Sequence, residues 1–265
     1  MNILEVTTNV IGCTNKCACC PQHSLVSNYH GTEYLDVDSF RTILKNLPTE
    51  IQVDFSGYSE PFLNPLCCHL IELASSFGYH IRLFTTLVGI KSQDLTRLSG
   101  TSIHYVRFHL PDEIQFRYYE PTWLKFYDKF MELELPCDYG YMALGDVSKS
   151  LQKQMTARGV SVIETTVLNS RGGLVAEVIP KTGNLYCTGQ RWHYNVLLPN
   201  GDVQLCCMDY GLKHKLGNLM THSYHEIYQE GERAMIADHS QMICSHCEWA
   251  QGNYCINPFG KPKFK

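Results

Sequence analysis

The most informative part of this chain is Cys13-Thr14-Asn15-Lys16-Cys17-Ala18-Cys19-Cys20-Pro21, which directly follows an apolar segment of strand length. Three of its cysteines, Cys13, Cys17 and Cys20, have the spacing Cys-x3-Cys-x2-Cys. Three thiolates this close can bind three irons of a [4Fe–4S] cluster and leave the fourth iron open to another ligand. A zinc site completed by a neighbour such as His23 is the alternative for these residues.

The composition indicates a folded protein whose cysteines are not disulfides. Of 265 residues, 44% are hydrophobic and 18% are charged, so the chain can bury a core. Its 13 cysteines are an odd number, which fits poorly with a fully paired disulfide scaffold. The N-terminus has no signal-peptide pattern, and we therefore expect a cytoplasmic protein with reduced thiols. In such a protein, clustered cysteines are typical of metal binding.

The charge and hydropathy patterns exclude two classes of partner. The net charge of −4 is too small to indicate a nucleic-acid groove or an anionic membrane surface. No run of 18 apolar residues occurs, so we expect no membrane-spanning helix.

Apolar segments of strand length alternate with segments of helical period as far as about residue 168. The expected strands are Ile3–Thr8, Ile51–Ser56, His80–Thr86, Ile103–His109, Cys137–Ala143 and Val160–Leu168. The expected helices are Val37–Leu47, Asn64–Phe77, Ser92–Leu98, Thr122–Leu133 and Val147–Ala157. Short, mostly apolar strands are typical of a parallel sheet covered by helices. Six units are too few for a closed eight-stranded barrel, so we predict an α/β fold, a partial (β/α)6 TIM-type barrel.

The pattern changes after residue 169, and we predict a second domain over residues 171–265 after a barrel over residues 1–170. Tyr194–Leu198 and Asp202–Cys206 flank Pro199-Asn200-Gly201, which predicts a β-hairpin. Ser223–Ile236 is expected to form a helix. This small, loop-rich unit is a candidate for stabilisation by a bound metal.

The first cysteine motif, placed after the first strand of six β–α units, resembles that of the radical S-adenosylmethionine (radical SAM) superfamily. The resemblance implies that SAM binds the open iron and is cleaved to methionine and a 5′-deoxyadenosyl radical, which takes a hydrogen atom from a substrate. Two further stretches match the superfamily. Ser56-Gly57-Tyr58-Ser59-Glu60-Pro61 matches a Gly-Glu-Pro type motif with Ser59 in place of Gly, and the other stretch is Phe84-Thr85-Thr86 at the end of the third strand. The residues implied to contact SAM are Cys19, Ser59, Glu60, Thr85 and Thr86.

A second group of cysteines resembles the iron–sulfur extension called SPASM, or its shorter form, twitch. Cys187 is followed by Gly201-x4-Cys206 and then by Cys244-x2-Cys247. The resemblance implies one auxiliary [4Fe–4S] cluster bound by Cys187, Cys206, Cys244 and Cys247. Cys207 and Cys255 are alternates for Cys206 and Cys247, and too few cysteines remain for a second auxiliary cluster. A four-cysteine zinc site is the alternative.

The substrate is suggested by Asn169-Ser170-Arg171-Gly172-Gly173, which resembles a segment of aminocyclitol dehydrogenases. The resemblance implies that Arg171 contacts the substrate; a plain turn between domains is the alternative. Tyr58, His109 and Tyr141 are further candidates for lining the pocket.

We therefore predict a radical SAM oxidoreductase that oxidises a small polar molecule such as a sugar or aminocyclitol, with the auxiliary cluster as electron acceptor. Radical modification of a peptide or protein is the main alternative. Modification of a nucleotide and a non-catalytic zinc-binding protein are less favoured. The expected electron donor is a flavodoxin or ferredoxin, and neither a membrane nor a nucleic acid is an expected partner.

Overall fold

The computed structural model describes residues 2–113, 120–165, 169–183, 185–189, 193–229 and 243–252. The N-terminal part contains six strands in which each pairs in parallel with the next along the chain. They are β1 (Ile3–Val6), β2 (Gln52–Phe55), β3 (Ile81–Thr85), β4 (Ile103–His109), β5 (Asp138–Ala143) and β6 (Glu164–Thr165). All six lie within the predicted segments, although the last three residues of Val160–Leu168 lie outside the described residues.

Helices fill the connections between these strands. They are α1 (Gln22–Asn28), α2 (Val37–Lys45), α3 (Cys67–Ser76), α4 (Ser92–Leu95), α5 (Glu120–Met131) and α6 (Lys149–Ala157). The last five correspond to the five helices that the sequence predicts. The short α1 was not predicted, since it begins after Pro21 without a side-chain cap and buries only Leu25.

Helix α2 illustrates how local sequence produces these elements. Asp36 precedes the helix, and its carboxylate accepts hydrogen bonds from the backbone amides of Asp38 and Ser39, at 3.0 and 2.8 Å. Phe40, Ile43 and Leu44 follow at spacings of three and one and are buried on one face. The cap fixes where the helix begins, and the apolar face fixes how it packs on the sheet.

The described residues of the C-terminal part add five short strands. They are β7 (Leu185–Cys187), β8 (Tyr194–Leu197), β9 (Asp202–Gln204), β10 (Lys215–Asn218) and β11 (Ala250–Gly252). Strands β8 and β9 are antiparallel around Asn200-Gly201, which confirms the predicted hairpin. Residues 224–229 are helical, and the rest of the predicted helix Ser223–Ile236 lies outside the described residues.

The hairpin continues the barrel sheet. Strand β8 pairs in parallel with β1, from Ile3 opposite Tyr194 to Val6 opposite Leu197. The sheet therefore has the order β10-β9-β8-β1-β2-β3-β4-β5-β6, while β7 and β11 form a separate antiparallel pair. The two predicted domains thus share one sheet, with β1 at the junction.

Apolar side chains form two cores. The larger one lies between the sheet and its helices and includes the fully buried Phe108 of β4 and Trp123 of α5. The smaller one joins Tyr58, which follows β2, to Cys206 and Ile243 of the C-terminal part. Because of this second core, the C-terminal part packs against the loops that follow β1 and β2. No helix among the described residues is both long and apolar enough to cross a membrane.

Candidate active site and auxiliary metal site

A cavity of about 330 Å³ opens where strands β1 to β5 end, and we call it the main cavity. Its lining combines the cysteine loop with residues from the ends of the strands and from the C-terminal part. The sequence-predicted residues that line it are Cys13, Cys17, Cys19, Cys20, Tyr58, Ser59, Glu60, Thr86, His109 and Arg171. Tyr141 does not line it; its hydroxyl lies 3.0 Å from that of Tyr127.

Glu60 is the centre of a buried hydrogen-bond network at this cavity. Its carboxylate accepts hydrogen bonds from the Thr86 amide and hydroxyl, both at 2.6 Å, and from the Thr85 hydroxyl at 2.7 Å. Burial raises the pKa of Glu60, while the hydrogen bonds from both threonines lower it. Thr85 therefore does not line the main cavity, and its hydroxyl instead orients the carboxylate of Glu60.

Two amide side chains attach the cysteine loop to neighbouring segments of the cavity wall, and one of them reaches this network. Asn15 donates from Nδ2 to the Thr86 hydroxyl at 2.9 Å. Gln22 accepts from the Cys13 amide at 3.3 Å and donates to Cys20 Sγ at 3.3 Å and to the Tyr58 carbonyl oxygen. Sequence analysis did not identify Asn15 or Gln22, because a single amide residue in a loop carries no distinctive spacing.

The thiols of Cys13 and Cys17 are protonated when nothing is bound to them. Burial raises the pKa of Cys13 to about 11 and raises that of Cys17 further, and the neighbouring thiols add to both effects. Metal binding must therefore displace these protons. Three thiols that line one cavity together with the Glu60 carboxylate and the Thr86 hydroxyl fit a cluster with one open iron and a polar ligand beside it.

The four cysteines of the second predicted set line one small cavity, which we call the C-terminal cavity. It is otherwise walled by apolar side chains such as Leu185, Leu205 and Ile243. Burial raises the pKa of Cys244 to about 12 and that of Cys247 to about 11. Four cysteines in an apolar wall are the type of ligand that both iron–sulfur clusters and zinc take. Within the described ranges, no three metal-ligating side chains lie close enough together to hold a single ion.

The structure also distinguishes Cys206 from Cys207, its alternate as a ligand of the auxiliary cluster. Cys206 lines the C-terminal cavity, whereas Cys207 lines the main cavity. Cys255 lies outside the described residues. Cys207 therefore faces the other site, a difference that adjacent cysteines in a sequence do not reveal.

Arg171 lies in a turn between the two parts of the chain, and it also lines the main cavity. Arg171, Gly172 and Gly173 all have positive φ angles, of 49°, 62° and 83°, so the segment is a tight turn. The turn directs Arg171 into the main cavity, where its guanidinium lies 5.3 Å from the centre of the Tyr210 ring. Its Nη1 donates to the Cys207 carbonyl at 3.4 Å, and its enclosed Nε atom has no hydrogen-bond partner.

Within the described part of the chain, two further enclosed polar atoms at this cavity have no hydrogen-bond partner, Asn169 Oδ1 and His109 Nε2. The pKa of His109 is lowered to about 4, chiefly by burial and in part by nearby Arg107, while Asp112 opposes the shift. The imidazole is therefore neutral at physiological pH and can accept a proton.

Residues 187–248 match the family model of the SPASM domain, described as an iron–sulfur cluster-binding domain. The matched range begins at Cys187 and contains all four predicted ligands of the auxiliary site. The match confirms the predicted resemblance of the C-terminal part to SPASM. The predicted fold class is confirmed by solved structures of similar fold. No curated protein sequence matches the chain.

Three solved structures are similar to the chain in fold. BtrN in complex with AdoMet and 2-DOIA has a TM-score of 0.59 at 15% identity, covering 89% of this chain and 85% of BtrN. AnSMEcpe with bound AdoMet has a TM-score of 0.61 at 12% identity, covering 93% and 86%. Streptococcus suis SuiB bound to precursor peptide SuiA has a TM-score of 0.63 at 11% identity, covering 92% and 69%.

Proposed function

We propose that this SPASM-domain protein is a radical SAM enzyme that oxidises a small polar molecule. The observation that carries the proposal is the convergence of Cys13, Cys17 and Cys20 with Glu60 and Thr86 on one cavity at the ends of parallel strands. In α/β folds this end of the sheet carries the active site. The fold it shares with BtrN and anSMEcpe, both solved with AdoMet, supports SAM as the ligand.

Each group of residues has a distinct role in this proposal. Cys13, Cys17 and Cys20 would hold the first [4Fe–4S] cluster, and Ser59, Glu60 and Thr86 with the backbone of Cys19 would contact SAM. The four cysteines of the C-terminal cavity would hold one auxiliary [4Fe–4S] cluster. When bound, the first cluster and SAM supply the 5′-deoxyadenosyl radical, and the auxiliary cluster supplies an electron acceptor.

Oxidation of an alcohol to a ketone removes one hydrogen atom from carbon, one proton from oxygen and one electron. The neutral imidazole of His109 would accept the proton at Nε2, which has no other partner. Arg171 Nε and Asn169 Oδ1 also lack partners and would orient the hydroxyl or amino groups of the substrate. Three unsatisfied polar atoms in one cavity favour a substrate with several polar groups, such as a sugar or aminocyclitol.

Modification of a peptide is the second candidate function. It is favoured by the similarity in fold to SuiB, which was solved with a precursor peptide. In both cases we expect a flavodoxin or ferredoxin as electron donor and a cytoplasmic location, where the thiols stay reduced.

SAM cleavage is tested by anaerobic reconstitution with iron and sulfide, followed by dithionite reduction in the presence of SAM. We expect 5′-deoxyadenosine from the wild type and none from the Cys13→Ala/Cys17→Ala/Cys20→Ala variant. Cys137→Ala, which removes a thiol far from both cavities, is the matched control and should cleave SAM normally. Undiminished cleavage by the triple variant would show that these thiols are not the ligands.

The substrate class is tested by deuterium transfer. Carbon-deuterated sugars and aminocyclitols in one set, and deuterated peptides in another, are incubated with reduced enzyme and SAM. Deuterium in 5′-deoxyadenosine identifies the class from which the radical takes hydrogen. Transfer from peptides alone would favour the second candidate function over the first.

A further inference from the structure

Two buried tyrosines lie between the main cavity and the C-terminal cavity. Tyr58 follows β2 and is 1% exposed, while Tyr210 follows β9 in the SPASM domain and is 4% exposed. Their ring centres are 4.5 Å apart with an angle of 53° between the planes. The Arg171 guanidinium lies 5.3 Å from the centre of the Tyr210 ring. Tyr210 therefore contacts both an aromatic ring and a cation.

The hydroxyl groups of this pair reach one proposed ligand of each cluster. Tyr58 Oη donates to the carbonyl oxygen of Cys206 at 2.9 Å. Tyr210 Oη lies 3.8 Å from Cys20 Sγ and accepts from the thiol while Cys20 is protonated. Residues from the two parts of the chain are thus linked from Cys20 to Cys206 through two aromatic rings.

The direction of the Tyr210 hydrogen bond reverses when Cys20 becomes a ligand. A metal-bound sulfur is a thiolate and has no proton to donate. The phenol, which is both a donor and an acceptor, then carries the only proton of the pair and can donate it to the sulfur. Gln22 Nε2, at 3.3 Å from the same sulfur, is a second donor.

We propose that Tyr210 is a positioning residue of the SPASM domain that donates a hydrogen bond to Cys20 Sγ and thereby raises the reduction potential of the first cluster. The inference rests on the proposed function, since it requires that Cys20 binds that cluster. Reduction adds one negative charge to the cluster, and a donor to a ligand sulfur stabilises this charge. The C-terminal domain would therefore influence how readily the first cluster takes up the electron that SAM cleavage needs.

The test is a redox titration of reconstituted protein, with the first cluster followed by its electron paramagnetic resonance signal and by the change in that signal when SAM is added. Tyr210→Phe keeps the ring and removes the hydroxyl, so we expect the potential of the first cluster to fall. A tenfold change in the one-electron equilibrium constant corresponds to about 59 mV, which is readily measured. Tyr224→Phe is the matched control, because Tyr224 is buried and donates to Asn195 Oδ1 at 3.1 Å, away from Cys20.

A second variant keeps the test decisive if Tyr210→Phe binds too little iron. Replacing Tyr210 with 3-fluorotyrosine retains the side-chain shape and makes the phenol a stronger donor, so the potential should rise. Opposite shifts in the two variants support the proposal, as does a rise in the fluorinated variant where Tyr210→Phe carries too little of the first cluster to be titrated. An unchanged potential in a variant that carries the first cluster would overturn it. Absence of the SAM-responsive cluster from the wild type would instead overturn the proposed function.

Discussion

At the scale of single residues, Glu60 and Thr86 show how the main cavity is preorganised. The carboxylate accepts four hydrogen bonds, two of them from Thr86, and Asn15 of the cysteine loop donates to the same Thr86 hydroxyl. One hydroxyl therefore connects the loop that carries the thiols to the end of β3. Its removal should affect both stability and ligand binding.

We expect Thr86→Val to lower the free energy of unfolding by roughly 1.5–3 kcal/mol, because it removes a buried hydrogen bond to a charged group. SAM binding should weaken about tenfold, since the cavity wall loses its link to the cysteine loop. Denaturant titration and calorimetry measure the two effects. Thr101→Val removes a buried hydroxyl that donates to the Leu98 carbonyl at 2.7 Å, outside the main cavity, and should lower stability without weakening SAM binding. Equal SAM affinity in wild type and Thr86→Val would contradict this role.

The lowered pKa of His109 predicts that the stability of the protein depends on pH. Its pKa is lowered to about 4 in the folded state, chiefly by burial, and is about 6.5 in an unfolded chain. As the pH falls below about 6.5, the unfolded chain therefore binds a proton that the folded chain does not, and stability is lost. Between pH 7.5 and 5 the wild-type apoprotein should lose about 2 kcal/mol more than His109→Asn does. Parallel pH profiles from denaturant titrations would show that His109 is not neutral in the folded state.

At the scale of elements, the turn at residues 169–173 joins the two sites. Gly172 has a φ of 62°, and a Cβ atom there would lie 2.2 Å from Cγ1 of Ile243. Ile243 precedes Cys244, a proposed ligand of the auxiliary cluster. The turn that directs Arg171 into the main cavity is therefore packed against the segment that carries two cysteines of the C-terminal cavity.

This contact predicts different effects for two glycine substitutions. Gly159→Ala, at a φ of 84° with nothing within 4 Å of the added carbon, should cost only the strain of the backbone, roughly 1–2 kcal/mol. Gly172→Ala should cost more and should also lower the iron content of the auxiliary site, because Ile243 must move. Thermal unfolding and iron analysis of both variants check this. Equal losses of stability with full iron content would show that the contact is unimportant.

The elements that the sequence predicted are those whose pattern is local. Six strands and five helices follow from apolar period, and the two cysteine sets follow from spacing. The parallel pairing of β8 with β1 was not predicted, because nothing in either strand specifies a partner 191 residues away. For the same reason Tyr210, Gln22 and the different environments of Cys206 and Cys207 were not predicted. Thr85 was expected to contact SAM, but its hydroxyl is directed to Glu60.

At the scale of the whole molecule, one sheet carries the cysteine loop of the first site and leads into Cys206 of the second, while Cys187 lies on the separate β7–β11 pair. Strand β1 leads into the cysteine loop and pairs with β2 on one side and with β8 of the C-terminal part on the other. The two sites are thus fixed relative to each other by backbone hydrogen bonds as well as by the tyrosine pair. Their proposed roles remain separable, because their ligands are different cysteines.

This separation gives a prediction about cluster content. Reconstituted wild type should contain about eight irons, in two clusters of four. Cys187→Ala/Cys244→Ala should contain about four, because it removes two ligands of the auxiliary site and leaves Cys206 and its link to Tyr58 unchanged. Cys137→Ala is again the control and should retain about eight. About twelve irons in the wild type would mean that a second auxiliary cluster exists.

The same variant separates SAM cleavage from substrate oxidation. Three protein ligands leave an iron open in the first cluster, whereas four ligands close the auxiliary one, so only the first can bind SAM. Cys187→Ala/Cys244→Ala should therefore still form 5′-deoxyadenosine but should not release oxidised product, because the substrate radical lacks an electron acceptor. Loss of both activities in a variant that unfolds at a lower temperature would indicate a stabilising role, as a zinc site would have. Full turnover by a folded variant with four irons would show that the auxiliary site takes no electron from the substrate.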